Sequence, residues 1–372
     1  MEVFFLANLM DYIAWRGDLS FDAAPFGAVD AMILAQLAYI DFSDIAPETV
    51  TPDGILLAQA AHALVTADDV PARLGTMGDK NRSLLLAAGR SVRFCTVRLC
   101  GVRSELDAAR TTQFAAMIAC LPNGEAAVCF RGTDNTLTGW KEDLNMSYLS
   151  PIPAQETAAA YLMQASDALA RPLHVLGHSK GGNLAVYASA LTPEDVQAHI
   201  RSVYSFDGPG LPADRVQEAG YLAIQDRLHL LIPRTSIVGM LLAHGADYTV
   251  VRSDALLARQ HELFSWQVLG AQPITESEPD AASRYINETL DTWLETLSPE
   301  DRERFIDALF ELLSASGAST LKELSANLHA GAPAMAAAFT KLDTPSRLVL
   351  VRGVKELASA ALSNLNLSDK NS

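Results

Sequence analysis

The chain is short of several things that would otherwise define it. Cysteine is scarce, four in 372 residues, and Cys95, Cys100, Cys120 and Cys129 contain no C-x-x-C pair. That spacing argues against a disulfide frame or a zinc site; the four read as buried thiols in or near strands, and no metal or cofactor is expected. Positive charge is short as well. Against 28 Lys and Arg stand 44 Asp and Glu, a formal charge of −16. So acidic a chain repels nucleic acid and anionic membrane surfaces, and neither is expected as a main partner. No apolar run approaches the roughly 20 residues of a transmembrane helix, so no transmembrane segment is expected. Met1 to Phe5 makes a short, largely apolar start with neither a basic leader nor a cleavage site, and a cytoplasmic location is the expectation. Repeats and low-complexity linkers are missing too. What remains, 49% apolar and 19% charged residues, describes a globular protein long enough for one large domain and an appendage.

The order of elements points to an α/β protein. Residues 27–42 (GAVDAMILAQLAYIDF) carry apolar side chains at helical spacing and predict a buried helix, with Asp30 as a surface or cap residue. Residues 92–100 alternate like a strand, and a helix is expected near 105–112. Gln113–Leu121 and Ala126–Phe130 frame Pro122-Asn123-Gly124, a hairpin signal. A helix over 154–170 precedes a strand at 173–176. Further strands are expected at 201–206, 228–232 and 248–252, with a helix around 213–224. Alternating strands and helices imply a mostly parallel sheet covered on both faces. After about residue 280 the chain turns to Ala, Leu, Glu and Ser at helical spacing. Ser298-Pro299 and Asp343-Thr344-Pro345 read as helix starts, and 364–372 as a frayed tail. The expected organisation is therefore a domain over 1–280 and a helical extension over 281–372.

The most informative stretch is RPLHVLGHSKGGNLAVYA, residues 171–188. Gly177-His178-Ser179-Lys180-Gly181 is G-x-S-x-G between a strand and a helix, the setting of a nucleophile elbow rather than a plain glycine turn. Such a turn lifts the serine above the sheet and aims the Lys180 N–H at a developing oxyanion. In α/β-hydrolases the acid and the histidine follow the serine in that order. His199, His229, His244, His261 and His329 come after Ser179. His229 falls in a predicted strand, His199 at a helix end and His329 in the helical tail. His261 follows the last predicted strand and is favoured as the base over His244, which precedes it. For the acid, Asp207 follows the strand at 201–206 and opens the turn Asp207-Gly208-Pro209-Gly210; Asp247 and Asp254 compete with it. An Asx-type turn residue is the structural alternative for Asp207. The usual place, after the strand at 228–232, reads Pro233-Arg234-Thr235-Ser236-Ile237 without a carboxylate, so the acid is Asp207 or the triad is incomplete. The apolar run Ile237–Leu242 reads as a core helix or an acyl-chain pocket. Trp140 and Trp266 read as packing residues.

Residues 128–144, VCFRGTDNTLTGWKEDL, resemble the segment before the elbow in class 3 lipases. The resemblance implies that Thr133 lends its N–H and O–H to the oxyanion hole. More widely, DYIAWRGDLSF (11–21), VDAMILAQLAYIDF (29–42), FDGPGL (206–211), SIVGMLL (236–242) and HELFSWQV (261–268) resemble the Mbeg-like family, a bacterial group related to those lipases. That resemblance places the family's histidine at His261. It implies an α/β-hydrolase fold and a lipase- or esterase-like serine hydrolase acting on a small-molecule ester or lipid. The lipase acid is missing near Ser236. Two other functions fit the same residues: an acyltransferase or thioesterase with this triad, or a catalytically silent scaffold using the helical tail as its interface. Neither the substrate nor the oligomeric state is specified.

Overall fold

A computed structural model describes residues 7–368. The chain forms two compact units. The first comprises Met1–Glu105, Phe114–Gly132 and Ala154–Pro279; the second, Leu106–Gln113, Thr133–Pro153 and Asp280–Ser372.

The first unit is built on a sheet. In chain order the strands are β1 (Ile55–Leu56), β2 (Arg98–Asp107), β3 (Thr112–Cys120), β4 (Ala126–Phe130), β5 (Leu173–His178), β6 (Ile200–Phe206), β7 (Leu228–Pro233), β8 (Tyr248–Val251), β9 (Val268–Leu269), β10 (Gln272–Pro273) and β11 (Thr275–Glu276). Nine of them form one sheet in the order β1-β2-β3-β4-β5-β6-β7-β8-β11, while β9 and β10 make a separate ribbon. Strands β4 to β8 pair in parallel. At its flanks β3 pairs antiparallel with β4, and β11 antiparallel with β8. The expected hairpin is therefore present, with Pro122-Asn123-Gly124 between its strands. Strands β4 and β5 are buried along their whole length, as parallel strands covered on both faces must be. Helix Ala28–Leu37 is apolar around nearly its whole circumference and is buried accordingly, beside Leu9, Phe21, Leu85 and Phe94 in the main core.

Several expectations are corrected. The segment 92–97 is a turn, and β2 starts only at Arg98. Its alternation comes from Arg93 and Phe94, both buried: the Arg93 guanidinium reaches Asp30 at 2.6 Å and the carbonyls of Leu19, Ser20, Ala24 and Pro25. Asp30 caps its helix, accepting from the Gly27 N–H at 3.0 Å, yet it is buried and not a surface residue. No helix forms near 105–112, which is the turn joining β2 to β3. The Asp107 carboxylate accepts the Ala109 and Arg110 N–H groups and bends the chain there instead. The expected helix at 213–224 is a short 3₁₀ turn followed by Ala219–Ile224. Residues 236–242 are turns, not a core helix, and their apolar side chains are only half-buried. Cys95 is partly exposed; Cys100, Cys120 and Cys129 are buried, and all four are free thiols.

The second unit carries the helices Leu137–Asn145, Ala281–Glu295, Pro299–Ala315, Leu321–Lys341 and Thr344–Ser368. Leu137, Phe305, Ile306, Phe310, Leu342 and Leu350 form its core. Ser298 caps the helix Pro299–Ala315 by accepting the Asp301 N–H, with Pro299 in the first turn, as its sequence predicts. The last helix runs through 364–368, where a frayed tail is expected; 369–372 and Met1 to Phe5 lie outside the described residues. Among the described residues no helix is long and apolar enough to cross a membrane.

Candidate active site

Ser179 sits between β5 and the helix Lys180–Leu191 with φ 58° and ψ −132°. A serine there is strained by about 1–3 kcal/mol, tolerated because the turn around it is over-determined. A Cβ on Gly177 would collide with the Gly181 carbonyl, and one on Gly181 with the Phe130 carbonyl. The two glycines of the motif thus let β5, its helix and β4 close on one another. The Ser179 N–H donates to the Phe206 carbonyl at 2.9 Å, pinning the elbow to the last residue of β6.

The residue after Phe206 is Asp207, also left-handed (φ 49°) and 1% exposed. Its N–H donates to the Leu231 carbonyl of β7 at 2.8 Å. Three donors converge on its carboxylate. His261 Nδ1 lies 2.6 Å from Oδ2, while Ser236 Oγ at 2.5 Å and the Gly239 N–H at 3.1 Å meet Oδ1. A carboxylate oxygen facing Nδ1 fixes the imidazole tautomer: Nδ1 carries the proton and Nε2 is left as the base. His261 ends the 3₁₀ turn Leu257–His261, after β8. Its neighbour Gln260 accepts the Thr235 N–H at 2.9 Å and donates to Thr235 Oγ1 at 3.0 Å, and Trp266 Nε1–H donates to the Gln260 carbonyl at 2.8 Å. These bonds staple the loops after β7 and β8 together beside Ser236 and His261.

Of the other candidates, Lys180 adjoins Ser179 and His244 borders the cluster through Gly239. His244 donates from Nε2 to the Gly239 carbonyl at 2.6 Å, and burial lowers its pKa. Asp247 and Asp254 are exposed on the loops before and after β8. His229 lies on β7, His199 ends the helix Glu194–His199, and His329 lies on the helix Leu321–Lys341. Lys180 is the first residue of the elbow helix and is buried. Thr133 belongs to the second unit, where its hydroxyl donates to Asp143 Oδ2 at 2.6 Å. Trp266 is fully buried and Trp140 partly exposed. Neither motif nor strand order singles out Ser236, Gly239, Thr235 or Gln260. The one available signal is the polar pair Thr235-Ser236 standing where an acid is usual.

A mostly parallel sheet with the Ser179 turn after β5, and loops after β6 and β8 bringing Asp207 and His261 together, is the arrangement of the α/β-hydrolase fold class. Within that class, a family model described as Mbeg1-like matches residues 88–311, and the chain belongs to that family. Among solved structures it is similar to M37 lipase, with 15% identity and a TM-score of 0.35 over 56% of this chain and 68% of that one. No curated protein matches.

Proposed function

We propose that the protein is a serine hydrolase that cleaves carboxylic esters through Ser179, His261 and Asp207. The observation that carries this reading is the 2.6 Å contact between Asp207 Oδ2 and His261 Nδ1, in the same unit as the strained elbow serine. Ser179 Oγ attacks the acyl carbon as its proton passes to His261 Nε2. The imidazolium is stabilised by Asp207 and returns the proton to the leaving alkoxide. Water, deprotonated by the same nitrogen, then releases the acid from the acyl-serine. The Lys180 N–H at the helix start is one donor to the oxyanion. The resemblance to class 3 lipases implies Thr133 as a second donor; within the second unit its hydroxyl donates to Asp143. The loop that holds Asp207 carries the half-buried Ile237, Val238, Met240, Leu241 and Leu242, which favour an apolar acyl group in a small-molecule ester or lipid. The same triad serves an acyltransferase or thioesterase if an alcohol replaces water or a thiol leaves.

A fluorophosphonate probe tests the reading. Wild-type protein is expected to label and to hydrolyse p-nitrophenyl butyrate, whereas Ser179→Ala does neither, with kcat lower by about 10⁴–10⁶. Folded wild-type protein that fails to label refutes the assignment.

A further inference from the structure

His178 is the residue before the nucleophile, and its side chain points to the base. It is buried, with Nε2 2.7 Å from the main-chain carbonyl of His261 and Nδ1 2.8 Å from the Tyr39 hydroxyl. A carbonyl only accepts, so Nε2 carries the proton, Nδ1 is an acceptor and the Tyr39 hydroxyl donates to it. The His178 ring also lies against the His261 ring, centroids 4.4 Å apart at 40°. Burial, reinforced by the neighbouring His261, holds the His178 pKa well below the ordinary histidine range, so the ring stays neutral and keeps this tautomer.

We propose that His178, with its tautomer set by Tyr39, is a positioning residue that holds the catalytic base at a fixed place relative to the nucleophile. His261 ends a short 3₁₀ turn entered through Leu257 in a left-handed conformation, and extended backbone follows it at Glu262. The bonds to Thr235 and Trp266 hold Gln260, the residue before His261; the turn's last carbonyl needs a fix of its own. His178 supplies that fix through a hydrogen bond, and adds a ring contact that limits rotation of the imidazole. The peptide that carries this donor is the one joined to Ser179. Base and nucleophile are therefore referred to a single residue, and an error of about 1 Å between them is worth about a hundredfold in rate. His178 acts through His261 and takes part in no bond made or broken.

The proposal rests on the hydrolase reading above, and the test separates the two. In the full-length protein, His178→Leu is expected to lower kcat for p-nitrophenyl butyrate by about 30- to 300-fold, with KM changed less than about threefold. His178→Gln, whose amide N–H can reach the same carbonyl, is expected to recover most of that loss. Tyr39→Phe, which frees the tautomer but preserves the packing, is expected to cost about three- to tenfold. Adding His178→Leu to His261→Ala should lower the residual rate no further, since the base it positions is already gone. If wild-type protein neither labels nor turns over, the hydrolase reading fails and takes the proposal with it. If wild type is active and His178→Leu and Tyr39→Phe match it in kcat, the positioning role alone is refuted. A loss in His178→Leu that persists in the His261→Ala background refutes that role equally. Should His178→Leu not fold, the Gln and Phe variants decide: wild-type kcat in Tyr39→Phe together with equal losses in kcat and labelling-competent fraction in His178→Gln overturns it.

Discussion

Asp207 is held by three donors with separate tasks. His261 Nδ1–H occupies one oxygen; Ser236 and the Gly239 N–H occupy the other and keep the carboxylate from rotating away. Asp207→Asn keeps the shape but turns the group facing Nδ1 into a choice between amide oxygen and amide nitrogen, which invites the wrong imidazole tautomer. We expect kcat to fall by about 10³–10⁴, with Asp247→Asn and Asp254→Asn within a few-fold of wild type; steady-state kinetics on the three variants decides. Ser236→Ala removes a hydrogen bond to a buried carboxylate. A loss of about tenfold in kcat at nearly constant KM is expected, together with about 1–3 kcal/mol of stability from denaturant unfolding. The Ser179 turn and the position of His261 after β8 are legible in the sequence because an elbow has fixed letters and the order of strands limits which histidine can follow. The Asp207–His261 contact is legible only as a carboxylate in a turn after β6. Its supports are not, because Ser236 and Gly239 lie 29 and 32 positions away, and nothing local marks them as donors to Asp207.

Elements built from local periodicity and turn chemistry are readable: the hairpin at 113–130, the strands β5 to β8, the elbow helix and the capped helix at Ser298. Departures come where a long-range partner overrides the local pattern. At 92–97 the alternation of Arg93 and Phe94 resembles a strand, yet Arg93 is drawn inward by a partner 63 residues earlier. That ion pair is fully buried, with both side chains 1% exposed, and Tyr12 also donates to Asp30. Removing one member strands the other without solvent, which costs more than the pair's net contribution. Arg93→Met is therefore expected to destabilise the protein by about 3–5 kcal/mol, read as a shift in the denaturant midpoint. Arg93→Met combined with Asp30→Leu should be less destabilised than Arg93→Met alone, because no buried charge is left behind. A double variant weaker than the single would show that Asp30 matters mainly as the cap of its helix.

For the whole molecule the consequence is a dependence of stability on pH. Burial lowers the pKa of His178 well below 6.5, and that of His174 below the same value, although Glu125 beside His174 acts in the opposite direction. In the unfolded chain both titrate near 6.5. Below that pH the unfolded state binds protons that the folded state refuses, so stability rises with pH there and falls on acidification; above about 7.5 both states are neutral and the contribution is constant. Each such histidine contributes a slope of up to about 1.4 kcal/mol per pH unit until its folded pKa is reached. The excess of acidic groups responds in the other direction, since protonating surface carboxylates relieves the repulsion of a −16 chain. A single melting curve against pH therefore mixes opposed effects, and the useful quantity is a difference between variants. His178→Gln leaves the surface charge untouched but removes the buried imidazole. Its melting temperature is expected to follow wild type in parallel above about pH 7.5 and to fall less steeply between about pH 6.5 and 5.5. Differential scanning calorimetry across about pH 5.5–8.5 makes the comparison. Parallel curves over the whole range would mean that His178 accepts a proton in the folded state about as readily as in the unfolded one, and that its neutrality is not what ties it to the His261 carbonyl.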